Sequence, residues 1–312
     1  MSKTIKKIDL VILGGGPAGL TSAIYSARAK LSMILLENGI VGGQVRKSYI
    51  VENYPGIRSI DGAELANNMQ EQAEKLGAVI DEFDSVNNVF LSDNKKIIET
   101  DNYIYETKTV IIATGATPRK LSVPSEEKFF GRGIHYCAVC DGAMYENKIV
   151  GVVGGGNSAL EEAMFLTKFA KKVYLIRRKD YFNGEKSLVD VVSENNKIEI
   201  LYNYDLVDVK GSKFVESSII KNTKTGEVKE INLSGIFGYI GTEPKTYEFK
   251  EYINLNSKGY IITDENMCTN ISGVYAVGDV REKEYRQITT AVSDGTIAAL
   301  EAERYILSRK DI

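Results

Sequence analysis

At 312 residues the chain is long enough for two domains of ordinary size. Its 43% apolar and 26% charged residues, with 28 glycines and no tryptophan, are those of a globular protein and exclude a disordered or fibrous one. The formal charge of −3 excludes a general binder of phosphate backbones, which needs a surplus of clustered Lys and Arg, so no nucleic-acid partner is expected.

The amino-terminal stretch "MSKTIKKIDLVIL" carries basic residues ahead of an apolar run of about five residues, too short for a secretory core or a membrane span. A cytoplasmic protein without a membrane partner is expected. That run, residues 9–13, reads as a strand and leads directly into Gly14-x-Gly16-x-x-Gly19, with Pro17 and Ala18 opening a helical pattern of small residues. A second strand, "LSMILLE", ends on Glu37, eighteen residues after Gly19. Strand, glycine turn, helix and acid in this register describe a dinucleotide site. Glycines admit the pyrophosphate to the backbone, the helix N-terminus supplies N–H groups, and the acid accepts from a ribose hydroxyl.

Further along, "KTVIIATGATPRK" (108–120) reads as a strand ending in a turn at Ala113, Thr114 and Gly115. After the cysteine-bearing segment "GIHYCAVCDGAMYENK" (133–148), the strand "KIVGVV" runs into Gly154-x-Gly156-x-x-Ala159, then a helix and the strand "KVYLI". Arg177 follows Ala159 at the offset at which Glu37 follows Gly19, with Arg178 and Lys179 beside it. Cations there attract the ribose 2′-phosphate that a carboxylate would repel, so the first turn suits FAD or NAD and the second NADP. A solvated basic strand end is the plainer alternative for this run. The segment 197–237 reads as short strands and turns forming a small sheet beside the parallel one. Residues 272–306 read as strand, turn and long helix, with Asp279 after Gly278 placed either to accept from a ribityl chain or to serve as an ordinary turn residue.

The first site's features thus occupy both ends of the chain and the second lies between them. The expectation is an α/β fold of two three-layer Rossmann-like dinucleotide-binding domains, the second inserted into the first. The boundaries are 1–116 and 245–312 for an FAD-binding domain and 117–244 for an NAD(P)H-binding domain, with crossings at "TGATPRK" and "GTEP". Two nucleotide sites in one chain point to a flavoprotein that takes hydride from a nicotinamide, since no side chain carries hydride.

Cys137 and Cys140 belong to the inserted part. One pair, one histidine and a distant Cys268 do not make a four-ligand zinc site, so no metal is expected. A bridge closing so short a loop constrains the unfolded chain little. A redox dithiol remains, one thiol attacking and the other resolving. Asp141 could protonate a departing thiolate if buried, or simply cap a helix. His135 could serve the same acid role, but a single histidine is expected in a turn or at the surface, and Cys268 as a small, partly buried hydrophobe.

The order GGGPAG (14–19), VENYPG (51–56), ATG (113–115), CAVCDG (137–142), GGGNSALEEA (154–163), VGDV (277–280) and YRQ (285–287) resembles the low-molecular-weight thioredoxin reductases of bacteria over nearly the whole chain. The resemblance implies a homodimer that passes electrons from NADPH to FAD, then to a Cys137–Cys140 disulfide, then to thioredoxin or a thioredoxin-like protein. Cys140 would lie nearer the flavin, Cys137 would attack the partner's disulfide, and Asp141 would be the acid. It also implies that the inserted domain rotates about its linkers to present nucleotide and disulfide in turn. It assigns Gly43, Gln44, Asn53, Val86, Arg286, Gln287, Ile288 and Ala291 to the flavin, and Gly155, Gly156, Asn157, Ser158 and Glu161 to the nicotinamide nucleotide. The family's basic motif departs here at Lys179 and Asn183, where arginines would stand. Lysine lacks the planar fork and asparagine the charge, which leaves NADH open as a second donor. A same-fold reductase fed by NADH or ferredoxin, and a non-enzymatic flavin redox sensor, are the alternative readings.

Overall fold

The computed structural model describes residues 3–48 and 51–309. The chain forms two compact units, one built from the amino-terminal segment through Thr117 together with the chain from Glu243 onward, the other from Pro118–Thr242. The crossings pair with each other, Ala116–Pro118 against Thr242–Pro244, as a two-stranded ladder.

In the first unit a parallel sheet runs in the order Val79–Glu82, Met33–Glu37, Thr4–Leu13, Tyr103–Ile112. The far edge of Tyr103–Ile112 is shared. Its amino-terminal half pairs antiparallel with Lys96–Thr100, and its carboxy-terminal half pairs parallel with Val274–Ala276. Side chains alternate across the sheet with period two. Leu10 and Ile12 therefore face one core with residues of the helices Pro17–Arg28 and Ile288–Ser308, while Val11 and Leu13 face a second core with Val89, Ile98, Phe249 and Ile261. Both faces are covered at its carboxy-terminal end, so the central strand is apolar over Leu10–Leu13 and mostly polar before it. Leu10, Val11 and Ile12 are fully buried, each contributing about 1.5–3 kcal/mol relative to exposure.

The second unit repeats the plan. Ile198–Tyr202, Lys172–Arg177, Ile149–Gly154, Gly235–Tyr239 and Ile134–His135 form a parallel five-stranded sheet. The helix Asn157–Leu166 packs on one face. The antiparallel strands Tyr204–Lys210, Ser217–Asn222 and Val228–Asn232 cover the other. The segment 197–237 is therefore divided: its first and last strands belong to the parallel sheet, and only the middle three make the separate one. Ile198–Tyr202 extends the edge of the parallel sheet because the helix Lys186–Glu194 returns the chain beside Lys172–Arg177.

Candidate active site

Around the first glycine turn the three glycines do three jobs. Gly14 adopts φ +108° and a Cβ there would lie 2.5 Å from the Ala113 carbonyl oxygen; at Gly19 it would lie 1.9 Å from the Gly14 oxygen. At Gly16 it would meet no protein atom within 4 Å, which leaves the backbone open to a ligand. Gly16 caps the helix Pro17–Arg28 without a side-chain bond, and Pro17 occupies its first turn, so no capping side chain occupies the helix's leading N–H groups. Glu37 holds the loop by accepting from Gly15 N–H at 2.8 Å and Gly39 N–H at 3.2 Å.

Most residues expected at the flavin converge on this turn. Gly43 lies against Gly16, and Gly278 against Ala18 and Ala291. Ala113 N–H donates to the Leu13 carbonyl at 2.8 Å, the Thr114 hydroxyl to the Lys245 carbonyl at 2.7 Å, and Lys245 N–H to the Gly115 carbonyl at 3.0 Å. The Asn53 amide donates to Gln287 Oε1 at 3.3 Å, while Gln287 and Thr290 close a capping box at the start of the helix Ile288–Ser308. Gln44 is exposed, and Ile288 packs on the helix-side core. Val86 instead opens the strand Val86–Leu91 and packs into the opposite core.

Two buried polar atoms here have no hydrogen-bond partner, Asp279 Oδ1 and Arg286 Nε. The Arg286 guanidinium stacks over Tyr260, 4.3 Å from the ring centroid. Burial pushes the Asp279 carboxyl up, against the pull of Lys283 and Arg286. Orphaned atoms of this kind cost about 1–3 kcal/mol each unless a ligand satisfies them. A hydroxylated chain ending in a pyrophosphate fits both them and the open glycine, so the residues present suit FAD.

The second turn is built alike. A Cβ at Gly154 would meet the Tyr239 carbonyl at 2.5 Å, one at Gly156 nothing within 4 Å, and Ala159 is fully buried. Asn157 is tied to the following loop through Glu185, accepting from its N–H at 2.8 Å, while Ser158 and Glu161 are exposed. Arg177 differs from expectation. Its guanidinium lies flat over Gly155, donating through Nε to the Tyr181 carbonyl at 2.8 Å and through a terminal nitrogen to Asn183 Oδ1 at 3.3 Å. Arg178 and Lys179 are the exposed cations of the run.

Cys137 and Cys140 are joined in a disulfide, with their Cα atoms 5.3 Å apart. Cys137 caps the short helix Ala138–Asp141, its sulfur accepting from Cys140 N–H at 3.2 Å. Ala138 N–H donates to the Tyr239 hydroxyl at 2.6 Å. Asp141 caps nothing through its side chain. His135 is neither in a turn nor at the surface. It ends a buried strand, 4% exposed, because the pairing of Ile134–His135 with Gly235–Tyr239 carries its ring into the sheet. Its Nδ1 lies 3.1 Å from Asp141 Oδ2. Sequence reasoning also missed Tyr239 and Glu162. Glu162 Oε2 is buried without a partner, and burial, then the charge of Glu161, pushes its carboxyl up to about 7. Cys268 is half-buried and free, its thiol pushed up to about 11 chiefly by burial. No group of three metal-ligating side chains occurs among the described residues, and none of their helices is long and apolar enough to cross a membrane.

Residues 8–295 match the family described as pyridine nucleotide-disulphide oxidoreductase. A Clostridium pasteurianum protein described as a 34.2 kDa protein in rubredoxin operon is 51% identical over 304 residues, covering 97% of this chain and 99% of its own. The thioredoxin reductase of Bacillus subtilis is 41% identical over 302 residues, covering 96% of this chain and 95% of its own. The crystal structure of thioredoxin reductase from Streptococcus pyogenes superposes with a TM-score of 0.93 at 43% identity, over 98% of this chain and all of that one.

Proposed function

This chain belongs to the pyridine nucleotide-disulphide oxidoreductases and is an enzyme of their thioredoxin reductase branch, and we propose that it carries electrons from NADPH through FAD to the Cys137–Cys140 disulfide and on to a thioredoxin or thioredoxin-like protein. The observation that carries the reading is the cysteine bridge at the start of a short helix in the unit that also bears the second glycine turn. Bound flavin would supply two-electron chemistry between nicotinamide and disulfide.

The residues divide the remaining work. Gly14, Gly16, Pro17, Ala18 and Gly19 receive the flavin's pyrophosphate at a helix N-terminus, Glu37 its adenosine ribose, and Asp279 its ribityl hydroxyls. Gly155, Gly156, Asn157, Ser158 and Glu161 bind the pyridine nucleotide. Cys140 is the sulfur that takes electrons, Cys137 the nucleophile toward the partner, and Asp141 the acid that protonates a thiolate released when the bridge opens. Because dithiol and nucleotide turn share the inserted unit, the paired linkers act as the hinge that lets each serve one flavin in turn. A homodimer in the cytoplasm completes the proposal.

One observation favours a relaxed choice of donor. With Arg177 spent on Tyr181 and Asn183, only Arg178 and Lys179 of the run are exposed toward a 2′-phosphate. NADH should therefore reduce the enzyme as well, at lower affinity. Anaerobic titration of the holoenzyme with NADPH and then NADH, following loss of flavin colour, tests both points, with Cys140→Ser run alongside. Bleaching by NADPH at lower concentration than by NADH supports the proposal, and a protein that binds no flavin or bleaches with neither refutes it.

A further inference from the structure

Beside the disulfide lies a buried chain of polar groups that the electron route does not use. His135 faces Asp141 through Nδ1 at 3.1 Å and the Tyr145 hydroxyl through Nε2 at 2.7 Å. Its ring stacks on Phe237 with centroids 5.3 Å apart. The three polar residues are 4%, 9% and 6% exposed in the order His135, Asp141, Tyr145. The other titratable groups facing the set are Tyr239, whose phenol feels both Asp141 and Glu162, and Glu162 itself on the neighbouring helix. Burial first, and the charge of Asp141 second, keep the Tyr145 phenol protonated.

A phenol that keeps its proton can donate to a bare Nε2 or, after turning about its C–O bond, accept from a protonated one. The imidazole thus has two states that fit the same heavy-atom positions. One is neutral, with its proton on Nδ1 toward Asp141; the other is cationic, with both nitrogens protonated. They differ by one proton.

We propose that His135 is a positioning residue that orients Asp141 and shares a proton with it, so that the imidazole can return to the carboxyl the proton that opening the disulfide consumes. This rests on the reading of Asp141 as the acid of the Cys137–Cys140 couple. Cleaving the Sγ–Sγ bond takes two electrons, which the proposed function draws from reduced flavin, and leaves two sulfur anions that require two protons to become thiols. Asp141 gives one to a sulfur, His135 restores it to Asp141, and the imidazole recovers it from solvent; the second proton arrives with the electrons.

The chain has one histidine, so selective ¹⁵N labelling of the holoenzyme yields a single pair of ring signals. In the disulfide form the neutral ring should report the Nδ1–H tautomer, and Asp141→Ala, which removes the acceptor facing Nδ1, should abolish that preference. His135→Asn keeps an N–H toward the carboxyl but cannot hold a proton. It should slow protein-disulfide turnover about tenfold or more and enlarge its solvent isotope effect, while leaving flavin reduction by NADPH unchanged. A tautomer indifferent to Asp141→Ala, or wild-type turnover and isotope effect in His135→Asn, would overturn the proposal. Full activity of Asp141→Asn with the tautomer preference intact would remove the acid role, and with it the proton-returning function, while leaving the pairing itself in place.

Discussion

Replacing Glu162 with Gln should make the protein more stable in mild alkali and change little in mild acid. Glu162 sits on the helix Asn157–Leu166 that begins at the second glycine turn, with Oε2 covered and unpartnered. Raised from 4.5 to about 7, chiefly by burial, its carboxyl binds a proton more tightly folded than unfolded. The stability tied to that proton is fully present below about pH 4.5 and is lost as pH rises through about 7. At about 1.36 kcal/mol for each pH unit the full loss would be about 3 kcal/mol. Because the side chain is partly solvent-exposed, screening reduces this to about 1–2 kcal/mol. Thermal melts of wild type and Glu162→Gln at pH 5 and pH 8.5 isolate the effect, since every other carboxyl is common to both proteins. The variant's advantage should grow by about 2–3 °C between the two pH values. Identical pH slopes would show that Glu162 is ionised and solvated in the folded state, and the reasoning from burial would fail.

Glycines of the first turn should separate ligand binding from folding. Gly16→Ala places its Cβ in open space and should leave the melting temperature of the flavin-free protein unchanged while weakening flavin retention by about tenfold or more, whereas Gly19→Ala, 1.9 Å from the Gly14 oxygen, should destabilise the apoprotein itself. In nucleotide choice, Arg178→Ala with Lys179→Ala should raise KM for NADPH about tenfold and leave KM for NADH alone, while Arg177→Ala should weaken both through collapse onto Gly155; equal effects of the two on NADPH alone would contradict this division. Asp279→Asn should keep the fold but lower flavin affinity, read as faster flavin loss on dilution.

Both glycine turns are legible in the sequence because each lies between a short apolar run and a small-residue helix, and the spacing to Glu37 and to Arg177 follows from one helix plus one strand. The parallel α/β sheets follow from the same runs, apolar on both faces. What lies opposite the helices is less legible. The antiparallel covers, such as Val86–Leu91 with Lys96–Thr100, alternate too loosely to announce which sheet they join. The helix Gly62–Lys75 had a readable signal in Asp61, which caps it by accepting from Ala63 and Glu64 N–H, followed by Glu64 in the first turn. His135 was misplaced for a physical reason. Two residues of strand flanked by glycine at 133 and the cysteine segment look like a turn, and only pairing with a strand about a hundred residues away makes that ring part of a core. Arg177 is legible in part: the offset locates the residue, but not that Tyr181 and Asn183 tie its guanidinium down over Gly155.

The route of electrons out of the enzyme is tested most directly by trapping it. Cys140→Ser holoenzyme, whose Cys137 thiol has no internal partner to resolve against, is incubated with a thioredoxin in which one active-site cysteine is replaced by serine and the other is held as a mixed disulfide with thionitrobenzoate, which departs when Cys137 attacks. A stable mixed disulfide should form that peptide mapping assigns to Cys137, with none at Cys268. Linkage through Cys268, or no adduct while the Cys140→Ser enzyme still reduces thioredoxin at the wild-type rate, would contradict it.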